Sequence, residues 1–230
     1  MFFSQLLRLA HMRLLVMADI HADAAALDRV LGAATREGFD EVVLLGDLIG
    51  YGTEPKRTLE LLAGLPLRAS VLGNHEFMLR ELRHGRLWKV ADSVGVPLQL
   101  CLEQLEAERV GELTALPLTV VEAEWQAVHG RPDGRFEYLI SGVDARRSEP
   151  DLQADLCLFG HTHLPGAFQK LQGRWRFRPV RLEKYEFTLP RGERLLLNPG
   201  SVARNRDQQG GSSFGILDLN TRTFAVHRFD

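Results

Sequence analysis

Six short apolar runs are spaced along the chain, and each stops abruptly at polar or glycine-rich residues. They are Arg13–Ala18 before "DIHAD", Glu41–Leu45 before "GDLIGYG" and Leu67–Leu72 before "GNHE". Further on come Trp125–Val128 before "HGRPDG", Ala154–Phe159 before "GHTHLPG" and Arg194–Leu197 before "NPGS". Continuous apolar runs of this length, bounded by glycine, predict strands buried on both faces. Between the first of them the period becomes helical. Residues 24–37 place Leu27, Val30, Leu31 and Ala34 on one face, with Asp23 as the predicted N-cap. Residues 54–63 follow Thr53 as a cap, with Pro55 in the first turn and Leu59 and Leu62 inward. A broad helical region over about 76–113 carries Leu79, Leu82, Leu87 and Val90. Strand–helix–strand order at this spacing predicts right-handed crossovers and a largely parallel sheet.

After residue 165 the texture alternates. "AFQKLQGRWRFRPV" reads as a hairpin about Gln172-Gly173, and "FGILDLNTRTFAVHRF" as one about Asn220-Thr221. With no internal repeat, low-complexity tract or Pro/Ser linker, residues 1–230 are expected to form a single α/β domain, with a second sheet packed beside the first.

Composition narrows the class without naming a function. A chain of 230 residues, 45% hydrophobic and 25% charged, suffices for one sizeable core. Lysines and arginines number 28 against 30 acids, a formal charge of 28 − 30 = −2, so there is no strong nucleic-acid-binding or membrane signal. The basic stretch Arg174–Arg181 reads as a solvated strand face. Cys101 and Cys157 are far apart in apolar company, which makes neither a disulfide framework nor a thiolate metal site and fits a reducing, cytoplasmic setting. Residues 1–12 are expected to be a disordered or extended leader, too short in its apolar core for a secretory signal, unless Met12 is the true start. No apolar run approaches the roughly 20 residues of a membrane span.

Candidate chemistry lies at the strand ends, where open α/β sheets collect ligands. Asp19, His21, Asp47, Asn74, His75, His129, His161 and His163 all fall there. Each alone reads as turn chemistry, but five of the chain's eight histidines at strand ends, with two aspartates and an asparagine, do not. Mixed imidazole and carboxylate ligands suit Mn, Fe, Zn or Co rather than calcium or a structural magnesium. Setting His75 apart leaves seven candidate ligands. That is too many for one ion, which takes about four protein groups, whereas two ions about 3.5–4 Å apart, bridged by a carboxylate, would use them all. The i, i+2 spacing of "DIH" and "HTH" is expected to aim each pair to one side of an extended segment. Two divalent ions against two aspartates leave a positive centre that suits a phosphate ester.

With these residues in view, the chain resembles the calcineurin-like metallophosphoesterases, and most nearly their small bacterial and archaeal phosphodiesterase-type members. "DIH", "GDLIGYG", "GNHE", "VHG", "GHTHLPG" and "NPGS" occur in that family's order from Arg13 to the C-terminus. The resemblance implies a four-layer α/β/β/α sandwich of two mixed β-sheets flanked by helices, with a dinuclear site on one edge. It implies that Asp19, His21 and His163 bind a first metal, that Asn74, His129 and His161 bind a second, and that Asp47 bridges them. Manganese stands first among the metals for activity. His75 would be the acid that protonates the leaving alkoxide, and a bridging hydroxide would attack phosphorus in line.

The implied activity is a phosphodiesterase acting on a small phosphate ester or nucleotide, 2′,3′-cyclic nucleotides among them. A phosphoprotein phosphatase or dinucleoside-polyphosphate hydrolase is the alternative, disfavoured because "GDLIGYG" stands where those relatives carry an arginine. A non-catalytic scaffold, as in the retromer subunit of this fold, is expected to have lost ligands that are all present here. The chain departs from the family in three places. His21-Ala22-Asp23 replaces His-Gly-Asn, with Asp23 read as the helix cap. Glu76 replaces the commoner aspartate, so orienting His75 would need its longer arm. Arg204 is an added cation beside Arg206, and these two are the candidate substrate-phosphate contacts. The 77–118 and 131–152 segments, with Trp88 and "RPDGRFEY", are the expected source of specificity.

Overall fold

β1 (Arg13–Met17) shows why these strands read as apolar throughout. Leu14 and Val16 enter a core shared with Val43, Leu45, Leu156, Leu158, Leu195 and Leu197. Leu15 and Met17 point the other way, onto Leu27, Val30 and Ala34 of a helix. Period-two alternation thus feeds two apolar layers rather than one apolar and one wet face. The computed structural model describes residues 12–86 and 89–230. The expected leader before Met12, and Leu87 and Trp88, lie outside the described residues.

The first sheet has the order β3-β2-β1-β11-β12-β9. β2 (Glu41–Leu44) is parallel to β1 and to β3 (Leu67–Ser70), whereas β9 (Lys184–Thr188), β11 (Ser212–Asp218) and β12 (Thr223–Phe229) join antiparallel. The second sheet has the order β4-β5-β6-β10-β7-β8. In it β5 (Trp125–Val128), β6 (Leu156–Leu158) and β10 (Leu195–Asn198) run parallel, flanked antiparallel by β4 (Thr119–Val121), β7 (Gly166–Leu171) and β8 (Arg174–Pro179). The expectation of one largely parallel sheet with the hairpins in another is therefore corrected. The six apolar strands divide three and three, and one hairpin extends each sheet. In a four-layer stack the central strands of both sheets are covered on both faces, so their sequences carry no mark of which sheet they join.

α1 (Ala24–Glu37) begins as expected, with Asp23 Oδ1 accepting the Ala26 N–H at 2.8 Å. α2 (Pro55–Ala63) is capped by Glu54, not Thr53, without a side-chain bond, because Pro55 sets the first turn by itself. The region over 76–113 is three helices: α3 (Asn74–Arg83), α4 (Asp92–Gln104) and α5 (Ala107–Thr114). Leu79 is buried, but Val90 lies between helices and is 37% exposed. These helices cover the outer face of the first sheet. α6 (Gly142–Ser148) starts in a capping box, with the Asp144 carboxylate accepting the Ser141 N–H at 2.9 Å. With Leu139 and Leu152 it brings Ala145 onto Cys157, Phe159 and Phe168 of the second sheet. The result is a four-layer α/β/β/α sandwich. Both cysteines are buried and unpaired, and no helix among the described residues is long and apolar enough to cross a membrane.

Candidate dinuclear metal centre

The carboxyl ends of β1 and β2 from one sheet, and of β5 and β6 from the other, meet at a single seam. The Asp19 carboxylate accepts the His161 N–H at 2.9 Å, and the His129 carbonyl accepts the Gly160 N–H at 2.9 Å. Gly160 permits this approach. A Cβ there would stand 2.7 Å from the Ala18 Cβ and 3.1 Å from Asp19 Oδ2, so the β6 loop closes onto β1 only with glycine.

The loops are not extended where the sequence reading placed extended pairs. Asp19 (φ 55°), His21 (φ 52°), Asp47 (φ 53°), His161 (φ 65°) and His163 (φ 56°) all lie in the left-handed region. Such backbone costs about 1–3 kcal/mol per non-glycine residue and persists only where surrounding structure holds it. The i, i+2 pairs of "DIH" and "HTH" converge through these tight turns rather than through strand pleating. Ala22 shares the conformation (φ 53°), which gives a physical reason for the glycine in relatives of the "DIH" motif.

Asp19, His21 and His163 form one group of ligand atoms within 4.8 Å of one another, Asp47, His129 and His161 form a second, and His21, Asp47 and His75 form a third that shares a member with each. Asp47 adjoins both, with Oδ2 at 3.3 Å from His129 Nε2 and 3.9 Å from His21 Nε2. Asn74 Oδ1 joins the second group at 3.0 Å from His129 Nε2. His161 and His163 fall in different groups.

Hydrogen bonds fix which ring atom each imidazole presents. A carbonyl only accepts, so the bonding ring nitrogen must carry the proton. His21 Nδ1 donates to the Ile49 carbonyl at 3.3 Å, His129 Nδ1 to Leu45 at 2.6 Å and His163 Nδ1 to Arg204 at 2.8 Å. In its neutral form each of these rings therefore presents an unprotonated Nε2 to its cluster. His21 Nε2 and His163 Nε2 then face each other at 3.1 Å, and His129 Nε2 faces His161 Nδ1 at 3.1 Å. Imidazole nitrogens converging across such short gaps are a ligand arrangement. Asp19 Oδ1 is buried with no hydrogen-bond partner, an acceptor directed at the same space. The donor set fits a pair of divalent transition ions.

The electrostatics agree. Burial acts against charge on Asp19, but His163 and His129 outweigh it and hold the carboxyl below its usual range. Asp47 is likewise held well below that range by His129 and His75 despite complete burial. Burial lowers His21 to about 4, and burial with the neighbouring His129 lowers His161 to about 4, so both are neutral near pH 7. His129 goes the other way: burial is overcome by Asp47 and Asp19, and it is pushed up to about 9. The field of the two carboxylates therefore retains a positive charge between them.

Two neighbours complete the site. His75 Nε2 lies 3.9 Å from Asp47 Oδ2, and its Nδ1 has no partner. Glu76 does not orient His75 as expected. Its carboxylate instead accepts N–H groups from Asp47, Leu48, Ile49 and Gly73 at 2.8–3.2 Å, because the Asp47 turn bends back over the start of α3 and exposes those donors to it. Glycine spacing in "GDLIGYG" signals a tight turn, but no local signal in the sequence says which side chain will satisfy it.

Beside the His21 cluster opens a cavity of about 650 Å³ lined by Tyr51, Asp23, Arg204, Arg206 and Asp207 with His21 and His163. On the opposite side Phe136 and Tyr138 of "RPDGRFEY" approach His129 and His161, with ring centroids 6.1 and 4.3 Å away. Tyr51, 4.7 Å from the His21 ring and 4.6 Å from that of His75, and Tyr138 are rim residues that motif spacing alone did not single out.

A four-layer sandwich with His/Asp clusters at the seam of its sheets defines a class, and the chain's relatives define the family. Residues 12–222 match the calcineurin-like phosphoesterase superfamily domain, and the chain belongs to that family. It is 29% identical to phosphodiesterase YfcE of Escherichia coli over 211 residues, 90% of this chain and 88% of that protein. It is also 29% identical over 210 residues to the uncharacterized protein MJ0912 of Methanocaldococcus jannaschii, covering 88% of this chain and 81% of that protein. The crystal structure of a metallophosphoesterase from Sphaerobacter thermophilus superposes with a TM-score of 0.80 at 27% identity, over 95% of this chain and 89% of that one. The chain is a phosphoesterase of this metal-dependent family.

Proposed function

We propose that the protein hydrolyses phosphodiester bonds of small nucleotides or related esters at a two-metal centre. The observation that carries the reading is the place of Asp47 between two histidine-containing clusters, each offering ligand atoms within 4.8 Å. Asp19, His21 and His163 would hold one ion, Asn74, His129 and His161 the other, and Asp47 both. When bound, two divalent ions acidify a water into a nucleophile near neutral pH and neutralise charge on the phosphoryl oxygens, with manganese the first choice.

The chain's own residues supply the rest. The Ile49, Leu45 and Arg204 carbonyls keep three imidazoles in the tautomer that presents Nε2. His75 Nε2 delivers a proton to the departing alkoxide. Burial lowers the basicity of His75 even against the pull of Asp47. Presence of every ligand type in place supports catalysis over a scaffold role. The absence of an arginine from "GDLIGYG", with the similarity to a relative named as a phosphodiesterase, YfcE, supports diesters over phosphoproteins. Two buried, unpaired cysteines and the lack of a membrane-spanning helix among the described residues are in keeping with a cytoplasmic enzyme.

The test is a screen of manganese-loaded protein against linear diesters, 2′,3′-cyclic nucleotides, phosphomonoesters and dinucleoside polyphosphates. Fastest turnover of a diester is expected. Faster turnover of monoesters or polyphosphates would refute the diester reading.

A further inference from the structure

Tyr138 joins a ligand of the second cluster to a cation of the rim. Its ring stacks on His161 at 4.3 Å between centroids and 13° between planes. Its hydroxyl accepts a hydrogen bond from Arg206 Nη1 at 3.1 Å. The main chain of Arg206 is fixed separately, its N–H donating to the His163 carbonyl at 3.0 Å. The next residue, Asp207, also lines the cavity beside the His21 cluster, but its carboxylate is taken up by both terminal nitrogens of Arg228. Arg206 thus reaches from the His163 loop toward the His161 stack, and it also lines the 650 Å³ cavity.

Among the described residues no carboxylate pairs with Arg206 or with Arg204, so both carry uncompensated charge beside the site. They differ in how they are held. No side-chain bond directs the Arg204 guanidinium, whereas Arg206 is directed by a phenol. A neutral acceptor orients a guanidinium without cancelling its charge, and it occupies one of five N–H donors, leaving a fork for an oxyanion. A carboxylate in place of Tyr138 would hold the arginine as firmly and neutralise it.

We propose that Tyr138 is a positioning residue that fixes Arg206 as the phosphate-gripping cation of this site, through a strut formed by the His161 ring, the Tyr138 ring and the Arg206 guanidinium. The proposal rests on the two-metal phosphoesterase reading for the location of the phosphate. It assigns the phosphate contact to Arg206 rather than Arg204, and it makes the 131–140 loop part of substrate binding.

The test reads anion binding without turnover. Orthophosphate is titrated calorimetrically into manganese-loaded wild-type protein, Tyr138→Phe, Arg206→Gln and the double variant, with metal content measured in each. Tyr138→Phe keeps the stack and removes only the hydroxyl, and it should bind phosphate about 3- to 10-fold more weakly at unchanged metal content. Arg206→Gln should lose about 10- to 100-fold, and the double variant should lose no more than Arg206→Gln alone. With a diester substrate the same single variants should raise KM more than they lower kcat. Unchanged phosphate affinity in either single variant, additive losses in the double variant, or metal lost from Tyr138→Phe would each overturn the proposal. So would a wild-type protein that binds no phosphate. A wild-type protein that binds phosphate through this strut yet cleaves no diester would instead refute the diesterase reading and leave the strut standing.

Discussion

The carboxylate of Glu76 sits inside the backbone turn that carries Asp47. Oε2 accepts the Asp47 N–H at 2.9 Å, while Oε1 accepts those of Leu48 at 2.8 Å and Ile49 at 3.2 Å. Glu76 is fully buried, and burial followed by the nearby Asp47 charge raises its carboxyl to about 7. So costly a group is retained because it satisfies donors that have no alternative. Glu76→Ala strands four buried N–H groups and should lower unfolding free energy by about 3 kcal/mol or more. Glu76→Gln places an NH₂ against two of the donors and should be intermediate. Urea denaturation of both variants checks the order, and equal stability of Glu76→Ala and wild type would contradict it.

Asp47 carries the link between clusters, so Asp47→Asn should reduce diester turnover by at least about 10³-fold. Wild-type protein should hold close to two transition ions per chain by elemental analysis, and the variant fewer. Near-normal turnover by metal-saturated Asp47→Asn would remove Asp47 from its bridging position.

His75 is outside the proposed ligand set. His75→Ala should keep its metal and lose about 10²–10⁴-fold in rate, within the range of general acid–base catalysis. The loss should be smallest for esters with acidic leaving groups, whose departing oxygen needs no proton. A loss that is uniform across a series of aryl diesters would speak against proton delivery.

Gly50 should reproduce part of that effect without touching the imidazole. Its φ is +88°, and a Cβ there would stand 2.0 Å from His75 Nδ1. Gly50→Ala should displace the ring and cut turnover by about 10²-fold with metal content unchanged. Kinetics and elemental analysis on one preparation test this, and wild-type kcat would show that His75 has room.

A stability effect of pH is expected outside the candidate metal site. His227 stacks on Phe214 at 4.8 Å and 4°, and burial lowers its basicity against the opposing pull of Glu37. Its folded-state pKa lies below the unfolded value of about 6.5, so below that pH the unfolded chain binds a proton that the fold resists. This contribution is flat above about 6.5 and is lost as pH falls toward the folded value. His227→Gln should show a smaller drop in urea midpoint between pH 7.5 and 5.5 than wild type does. Equal drops would place the titration elsewhere.

The strands and the ligand types were legible because burial on both faces leaves continuous apolar runs, and because imidazoles at strand ends have no structural purpose. Assignment of strands to sheets was not, since β1 and β6 meet equivalent apolar surroundings. β4 and β9 escaped notice as short edge strands whose outward residues are polar or half-exposed. The three helices over 76–113 merged into one because apolar spacing continues through the break at Gly85. At the site, the residue types were readable but not their support. The contacts of Glu76 with Leu48 and Ile49 depend on a turn closing over the start of α3, and that of Tyr138 with Arg206 joins positions 68 residues apart. Left-handed backbone at Asp19, His21 and Asp47 was hidden because none of them is glycine.

The two proposed ligand clusters each draw on both sheets: Asp19 and His21 follow β1 and His163 follows β6, while Asp47 follows β2 and His129 and His161 follow β5 and β6. Ions held there would act as rivets across the seam of the sandwich, and chelation would unfasten one layer from the other along that edge. A ligand that binds only the assembled state stabilises it in proportion to its occupancy. Metal bound for phosphate chemistry would therefore also clamp the halves of the molecule together.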